Sequence, residues 1–151
     1  LGELMDRHDN LFGVKYSSAD LQRFEQYLRA THKRRPSVLV GCDALAAYTR
    51  FIGGDGWVSG PSAVFARRHT GLYDAAEAKD HRKAEAIQFR IADTARRMGD
   101  IPEIPAIKYM LKRLGVIDCD ACRAPLRPLN EAEKARLDVL LEESLQEDQM
   151  A

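Results

Sequence analysis

The chain has 151 residues, of which 45% are hydrophobic and 30% are charged, a balance typical of a folded domain and not of a fibrous or disordered segment. Its 23 basic and 23 acidic residues give no net charge, so the composition offers no electrostatic basis for binding nucleic acid or an anionic membrane. No apolar run reaches the roughly 20 residues of a membrane-spanning helix, and three cysteines predict no disulfide framework, so we expect a cytoplasmic protein.

Three short apolar segments predict β-strands, at residues 11–14, 38–40 and 57–58. The strands recur about every 20 to 25 residues, which is the step of successive strand–helix units in a parallel sheet. A helix with one apolar face follows the first strand, and either Ser18 or Asp20 can cap it. The next helix, residues 44–52, is apolar on nearly every side, so we expect it to be largely buried.

The pattern becomes purely helical after the third strand. A loop containing two cysteines leads to Asn130, which forms the pattern of a capping box with Glu133 at the start of the last helix. The sequence therefore predicts an α/β chain in two parts. Residues 1–78 hold three strands with their helices, and residues 79–151 form a helical extension.

Lys15 is the lysine, among the chain's seven, that follows an apolar strand segment and does not lie in a polar stretch. In a parallel βα protein, ligands bind and catalytic groups project at the carboxyl ends of the strands. A lysine desolvated there loses its proton more readily, and the neutral amine is the species that attacks a ketone. The position indicates Schiff-base chemistry, with a solvated lysine or one paired with an aspartate as the structural alternative.

Three segments resemble consecutive strand-end motifs of the dihydrodipicolinate synthase and N-acetylneuraminate lyase family, at residues 12–21, 38–45 and 54–60. The similarity continues through residues 73–77, 107–111 and 123–129, so it covers essentially the whole chain. Members of this family are (β/α)₈ barrels with a C-terminal helical extension. The resemblance implies that this chain is the C-terminal part of such a TIM barrel, about three βα units forming strands six to eight, followed by the extension. The 151 residues alone are then expected not to turn over substrate.

The resemblance also implies a function. Lys15 is expected to condense with the carbonyl of pyruvate or a related 2-oxo acid, as in a class I aldolase that uses neither a metal nor an organic cofactor. The residues implied to bind substrate are Ser17, Gly41, Asp43, Val58, Ser59 and Gly60. Members of the family commonly form tetramers, so the resemblance implies a homo-oligomer. It also implies a small-molecule substrate.

Several of these residues have simpler alternative roles. Ser17 can be a polar strand end or the start of a helix, and Gly41 can serve a turn instead of making room for substrate. Asp43 is placed to cap the helix after it, which is the favoured interpretation, or to bind distal hydroxyl or amino groups of substrate. Ala44 stands where sialic acid lyases of the family carry glutamate, which counts against sialic acid as substrate.

Two functions remain beside the aldolase. The same imine can expel water from a 2-keto-3-deoxy sugar acid, which would make the protein a dehydratase. The chain can also be a truncated relative or pseudoenzyme that keeps the scaffold without catalysis.

Other motifs receive structural interpretations. Residues 53–56 resemble a phosphate loop but precede a strand, so a tight helix-to-strand connection is favoured. Cys119 and Cys122 have metal or redox spacing without a second ligand pair, which is a weak signal. The basic run at residues 32–35 is interpreted as solvated surface, and no metal site is predicted.

Overall fold

The computed structural model describes residues 1–29 and 35–149. His32, Lys33 and Arg34 of the basic run therefore lie outside the described residues. These two ranges contain three strands, β1 (Gly13–Tyr16), β2 (Ser37–Val40) and β3 (Gly56–Trp57). The α-helices are α1 (Gly2–Arg7), α2 (Leu21–Arg29), α3 (Ala46–Phe51), α4 (Ala66–Glu77), α5 (His81–Met98), α6 (Glu103–Arg113) and α7 (Glu131–Gln149).

The strands form one parallel sheet in the order β1-β2-β3. Lys15 lies opposite Leu39 in the β1–β2 pair, and Val40 lies opposite Trp57 in the β2–β3 pair. Each strand lies within two residues of its predicted position. Among the described residues the sheet stays open and has three strands, with β1 and β3 at its edges.

The core beneath the sheet depends on β2 and α2. Phe24, Val38 and Val40 have no exposed surface and pack with partly buried neighbours that include Leu45 and Trp57. Alternation along β2 places its two valines in this core, as expected of a strand with one covered face. Burying each of these side chains contributes about 1.5–3 kcal/mol relative to leaving it in water.

Helix α3 is less buried than its composition predicts. Ala46, Ala47 and Thr49 are buried, but Tyr48 and Phe51 are 51% and 41% exposed. The expectation that residues 44–52 would be largely buried is therefore wrong. When apolar residues surround a whole helix, the sequence does not indicate which face packs against the core. In α3 the small residues Ala46, Ala47 and Thr49 face the interior.

The start of helix α2 and the start of helix α7 follow the sequence signals. The Arg23 backbone N–H donates to Asp20 Oδ1 at 3.0 Å, so Asp20 is the residue that caps α2. At α7 the Asn130 backbone N–H donates to Glu133 Oε2 at 2.8 Å, and the Glu133 N–H donates to Asn130 Oδ1 at 2.9 Å. This reciprocal pair confirms the predicted capping box.

The chain divides into two compact units, residues 1–59 with 71–88, and residues 60–70 with 89–151. The first contains the sheet, and the second has its own apolar core formed by residues of α5, α6 and α7 with Val64 and Phe65. The division predicted from sequence, at residues 78 and 79, stays a prediction. None of the described helices is both long and apolar enough to cross a membrane.

A buried ion pair joins helices in the second unit. The Arg68 side chain is 1% exposed, and its Nε donates to Asp148 Oδ1 at 2.7 Å. Further hydrogen bonds run from its guanidinium to Thr94 Oγ1 at 2.7 Å and to the Ser144 carbonyl at 2.9 Å. Because each of its three nitrogens donates to an acceptor, the buried guanidinium charge is stabilised within the protein.

Candidate active site

The carboxyl ends of β1 and β2 lie side by side and bring three predicted site residues together. Lys15 is the third residue of β1, and the Gly41 N–H, just past the end of β2, donates to the Tyr16 carbonyl at 2.8 Å. This hydrogen bond extends the β1–β2 ladder past both strands. Ser17, the next residue after β1, therefore neighbours Gly41.

Gly41 provides the space that the Lys15 side chain occupies. A Cβ atom built on Gly41 would lie 2.6 Å from Lys15 Cε and 2.5 Å from Ser17 Oγ. Both distances are well below van der Waals contact, so only a glycine allows the lysine stem and the serine hydroxyl to lie there. Gly41 does not have a positive φ, so a turn is not the reason for this glycine.

Asp43 lies beside Lys15 and contacts Ser59. The Ser59 hydroxyl donates to Asp43 Oδ2 at 2.8 Å, which joins the segments that follow β2 and β3. Partial burial raises the pKa of the Asp43 carboxyl above its usual range, while the Ser59 hydrogen bond and the Lys15 charge act in the opposite direction. Asp43 therefore retains its proton to a higher pH than an exposed aspartate.

The capping role that sequence favoured for Asp43 is wrong. Asp43 is the first residue of a 3₁₀ turn, Asp43–Leu45, and Cys42 occupies the cap position without a side-chain hydrogen bond. Helix α3 begins after Leu45, which also makes no side-chain cap. The 3₁₀ turn moves the helix start away from Asp43, so its carboxylate bonds Ser59 instead of backbone N–H groups.

Gln88 of helix α5 holds this turn and was missed from the sequence. Its side-chain amide donates to the Asp43 carbonyl at 2.9 Å and accepts from the Ala47 N–H at 2.8 Å. The residue is 3% exposed. A single glutamine on an amphipathic helix carries no sequence signal that it reaches a loop some 40 residues away in the chain.

The remaining predicted residues, Val58 and Gly60, follow β3 in the chain. The Val58 N–H donates to the Val40 carbonyl at 2.9 Å, which continues the β2–β3 ladder, and its side chain is 44% exposed. Gly60 belongs to the second unit, where a Cβ on it would lie 2.8 Å from Glu103 Oε1 and from Ile107 Cδ1. Of the predicted site residues, the first unit thus contains Lys15, Ser17, Gly41, Asp43, Val58 and Ser59, and all of these stay predictions.

The arrangement combines a primary amine with a carboxyl–hydroxyl pair on one edge of a sheet. Lys15 is exposed, so the desolvation expected of it from the sequence is wrong, and the residue is open to a small molecule. The amine is the nucleophile of this set, and Asp43 with Ser59 offers both an acceptor and a donor for protons or hydroxyl groups. Such a set suits attack on a carbonyl carbon.

The other sequence motifs do not add ligands to this site. In the residues that the structure describes, no group of three or more histidine, cysteine, aspartate or glutamate side chains could hold a metal ion. Cys119 and Cys122 are free thiols in the second unit. Asp55 accepts the Val38 N–H at 2.8 Å and an Arg35 hydrogen bond at 2.7 Å, so residues 53–56 form a structural connection into β3.

The sequence profile of the dihydrodipicolinate synthetase family matches residues 1–144, nearly the whole chain. The chain belongs to this family. A 4-hydroxy-tetrahydrodipicolinate synthase from Chlorobaculum parvum is 33% identical over 138 residues, covering 89% of this chain and 45% of the relative. The chain spans about half the length of the curated relatives it matches.

Solved structures of the family share the fold. An Escherichia coli prophage protein of the dihydrodipicolinic acid synthase family, solved in complex with pyruvate, has a TM-score of 0.84 and 23% identity, covering 95% of this chain and 49% of its own. N-acetylneuraminate lyase from Fusobacterium nucleatum has a TM-score of 0.83 and 22% identity, covering 94% of this chain and 47% of its own.

The predicted position within the barrel is wrong. The comparisons align the chain with the N-terminal part of family members, not with strands six to eight and the C-terminal half. Consecutive βα units share one local pattern of strand, turn and helix. The sequence of three such units therefore indicates their mutual order and not their position in a closed barrel.

Proposed function

We propose that this chain carries the Schiff-base site of a class I lyase that acts on pyruvate or a related 2-oxo acid. The observation that supports this most directly is the path of Lys15, whose side chain lies across Gly41 beside Ser17 and Asp43. Lys15 is exposed, but its stem passes through space that any side chain at position 41 would fill. Membership of a family whose named relatives are synthases, lyases and aldolases supports the same chemistry.

The covalent step begins with the neutral Lys15 amine. Its lone pair attacks the ketone carbon, the carbonyl oxygen takes a proton to give a carbinolamine, and loss of water leaves a protonated imine. The positive nitrogen then accepts electron density from the adjacent carbon as a carbon–proton or carbon–carbon bond breaks. Negative charge that would otherwise develop on carbon is thereby neutralised in the transition state.

The Asp43–Ser59 pair is proposed to bind the distal part of the substrate. A carboxyl whose pKa is raised by burial remains protonated over a wider pH range, so it can donate to a substrate oxygen as well as accept from a hydroxyl. Ser17 Oγ lies over Gly41 beside the Lys15 stem and is proposed to bond the substrate near the imine. The reaction proposed needs no metal and no organic cofactor.

Pyruvate is the first 2-oxo acid to test, because the Escherichia coli relative was solved with it. Assembly into a homo-oligomer, a cytoplasmic location and a small-molecule substrate without nucleic acid or membrane remain proposals that follow from family membership and composition.

Borohydride trapping tests the proposal. The chain is incubated with pyruvate, reduced, digested and mapped by mass spectrometry. We expect a carboxyethyl group on Lys15 and little on exposed Lys83, which serves as an internal control. The Lys15→Arg variant, which keeps the charge, should lose the adduct. Equal labelling of both lysines, or none on Lys15, would show that the site is a scaffold without this chemistry.

A further inference from the structure

Gln88 connects helix α5 to the turn that carries Asp43. Its amide oxygen accepts the Ala47 N–H at 2.8 Å, and its amide nitrogen donates to the Asp43 carbonyl at 2.9 Å. Only one orientation of the amide satisfies both partners, because a carbonyl cannot donate and an NH₂ group cannot accept. The side chain is almost fully buried, so water cannot replace either hydrogen bond.

Helix α3 needs this interaction at its first turn. The first N–H groups of any helix lack partners within the helix, and the cap residue Leu45 has no side-chain oxygen to supply one. Gln88 supplies the acceptor for Ala47 from another helix. The same amide also holds the Asp43 carbonyl, so the backbone is fixed at both ends of the segment from Asp43 to Ala47.

The direction of the Asp43 carboxylate depends on that backbone. With Asp43 and Ala47 both fixed, the Asp43 side chain meets the Ser59 hydroxyl at 2.8 Å and lies within the electrostatic influence of Lys15. We propose that Gln88 is a positioning residue, which orients Asp43 toward Ser59 and Lys15 by clamping the turn between β2 and α3. The catalytic consequence rests on the proposed function, whereas the clamp itself does not.

A purely structural role for Gln88 predicts a loss of stability alone, so the test needs a matched control. Thr49 on α3 has no exposed surface, and its hydroxyl bonds the Leu45 and Ala46 carbonyls at 2.9 and 3.1 Å. Thr49→Val removes buried hydrogen bonds to Leu45 and Ala46, inside the same segment, and leaves both Gln88 hydrogen bonds in place. It reports what a general weakening of α3 does to the site.

The first measurement is the pKa of Asp43 by carboxyl NMR titration in wild type, Gln88→Met and Thr49→Val. Burial is the main cause of the raised pKa, and Ser59 and Lys15 are the groups that oppose it. We expect Gln88→Met to release the carboxyl to water and lower its pKa toward the ordinary value. Thr49→Val should leave the Asp43 titration unchanged, even if it lowers the melting temperature as much as Gln88→Met does.

The second measurement is the rate of pyruvate trapping at Lys15 in the same proteins. We expect Gln88→Met to slow trapping about tenfold, because the Asp43 carboxyl then loses one well-placed hydrogen bond in the site. Gln88→Glu should recover part of the rate, relative to wild type, as the pH is lowered. The introduced carboxyl group, when protonated, can donate to Asp43 and accept from Ala47, whereas its ionised form can only accept.

The two outcomes separate the clamp from the chemistry. A shifted Asp43 pKa in Gln88→Met with no trapping in wild type would leave the clamp standing and refute the proposed function. An unchanged Asp43 titration and trapping rate in a folded Gln88→Met protein would refute the clamp. If Gln88→Met does not fold, the test is the trapping rate of Gln88→Glu divided by that of wild type, measured across pH. A ratio that does not change with pH would refute the clamp.

Discussion

Substituting Gly41 with alanine tests whether the lysine path matters for reactivity. The added Cβ would lie 2.6 Å from Lys15 Cε and 2.5 Å from Ser17 Oγ, whereas ordinary contacts fall between 3.4 and 4 Å. The lysine methylene must therefore move by about 1 Å, and the serine hydroxyl must turn away. Both are flexible groups, so we expect Gly41→Ala to fold.

The magnitudes follow from this displacement. Overpacking costs about 1–3 kcal/mol, and removing glycine freedom from the unfolded chain offsets about 0.4–1 kcal/mol, so stability should fall only modestly. Misplacing a reacting group by about 1 Å costs on the order of 100-fold in rate, equivalent to about 2.7 kcal/mol in the barrier. The effect on imine formation should thus exceed the effect on stability.

The assay compares pyruvate trapping at Lys15 with urea unfolding in the same protein. Gly71→Ala is the matched control, because its new Cβ would meet only Ile87 Cδ1, at an ordinary 3.7 Å. We expect that control to trap pyruvate at the wild-type rate. Wild-type trapping in Gly41→Ala would refute the argument that this glycine exists to seat Lys15.

Three further predictions concern the second unit. Arg68→Met should cost about 3 kcal/mol in urea unfolding, because it leaves the mostly buried Asp148 with only the more distant Arg90, at 3.9 Å, as a basic partner. Arg67→Met, at an exposed position, should cost far less, and equal effects would mean that the buried ion pair adds no stability. Burial, reinforced by the Arg68 charge, lowers the pKa of His69 to about 4, so its ring should stay neutral in NMR titrations from pH 7 down to that point. Because an unfolded histidine takes up its proton near pH 6.5, stability present above that pH should be lost as the pH falls toward 4, and His69→Gln should flatten that dependence. The Arg127 and Asn130 hydrogen bonds lower the pKa of Glu133 to about 2, so its contribution is present above pH 4.5 and is lost as the pH falls toward 2; Glu133→Gln should remove this loss, and a wild-type acid profile in that variant would contradict it.

Local signals in the sequence predicted the elements of the sheet and two helix starts. The β2 strand, the Asp20 cap and the Asn130–Glu133 capping box depend on residues within a few positions of one another, so they can be inferred from spacing. The burial of α3 could not be inferred in this way, because Tyr48 and Phe51 are apolar and yet remain about half exposed. The roles of Asp43 and Gln88 depend on contacts between distant segments, and spacing does not contain them.

The sequence alone determined three parallel strand–helix units, the family to which they belong, and a lysine at a strand end. These properties follow from the period of apolar residues and from motifs of consecutive residues, which each segment carries within itself. Only the tertiary structure decided that Gly41 makes room for Lys15 and that Asp43 bonds Ser59 instead of a helix terminus. It also decided that Gln88 bonds the turn between β2 and α3. The reason is physical: a side chain's partner is set by which strands and helices are neighbours in space, and local pattern is the same whichever neighbour is chosen.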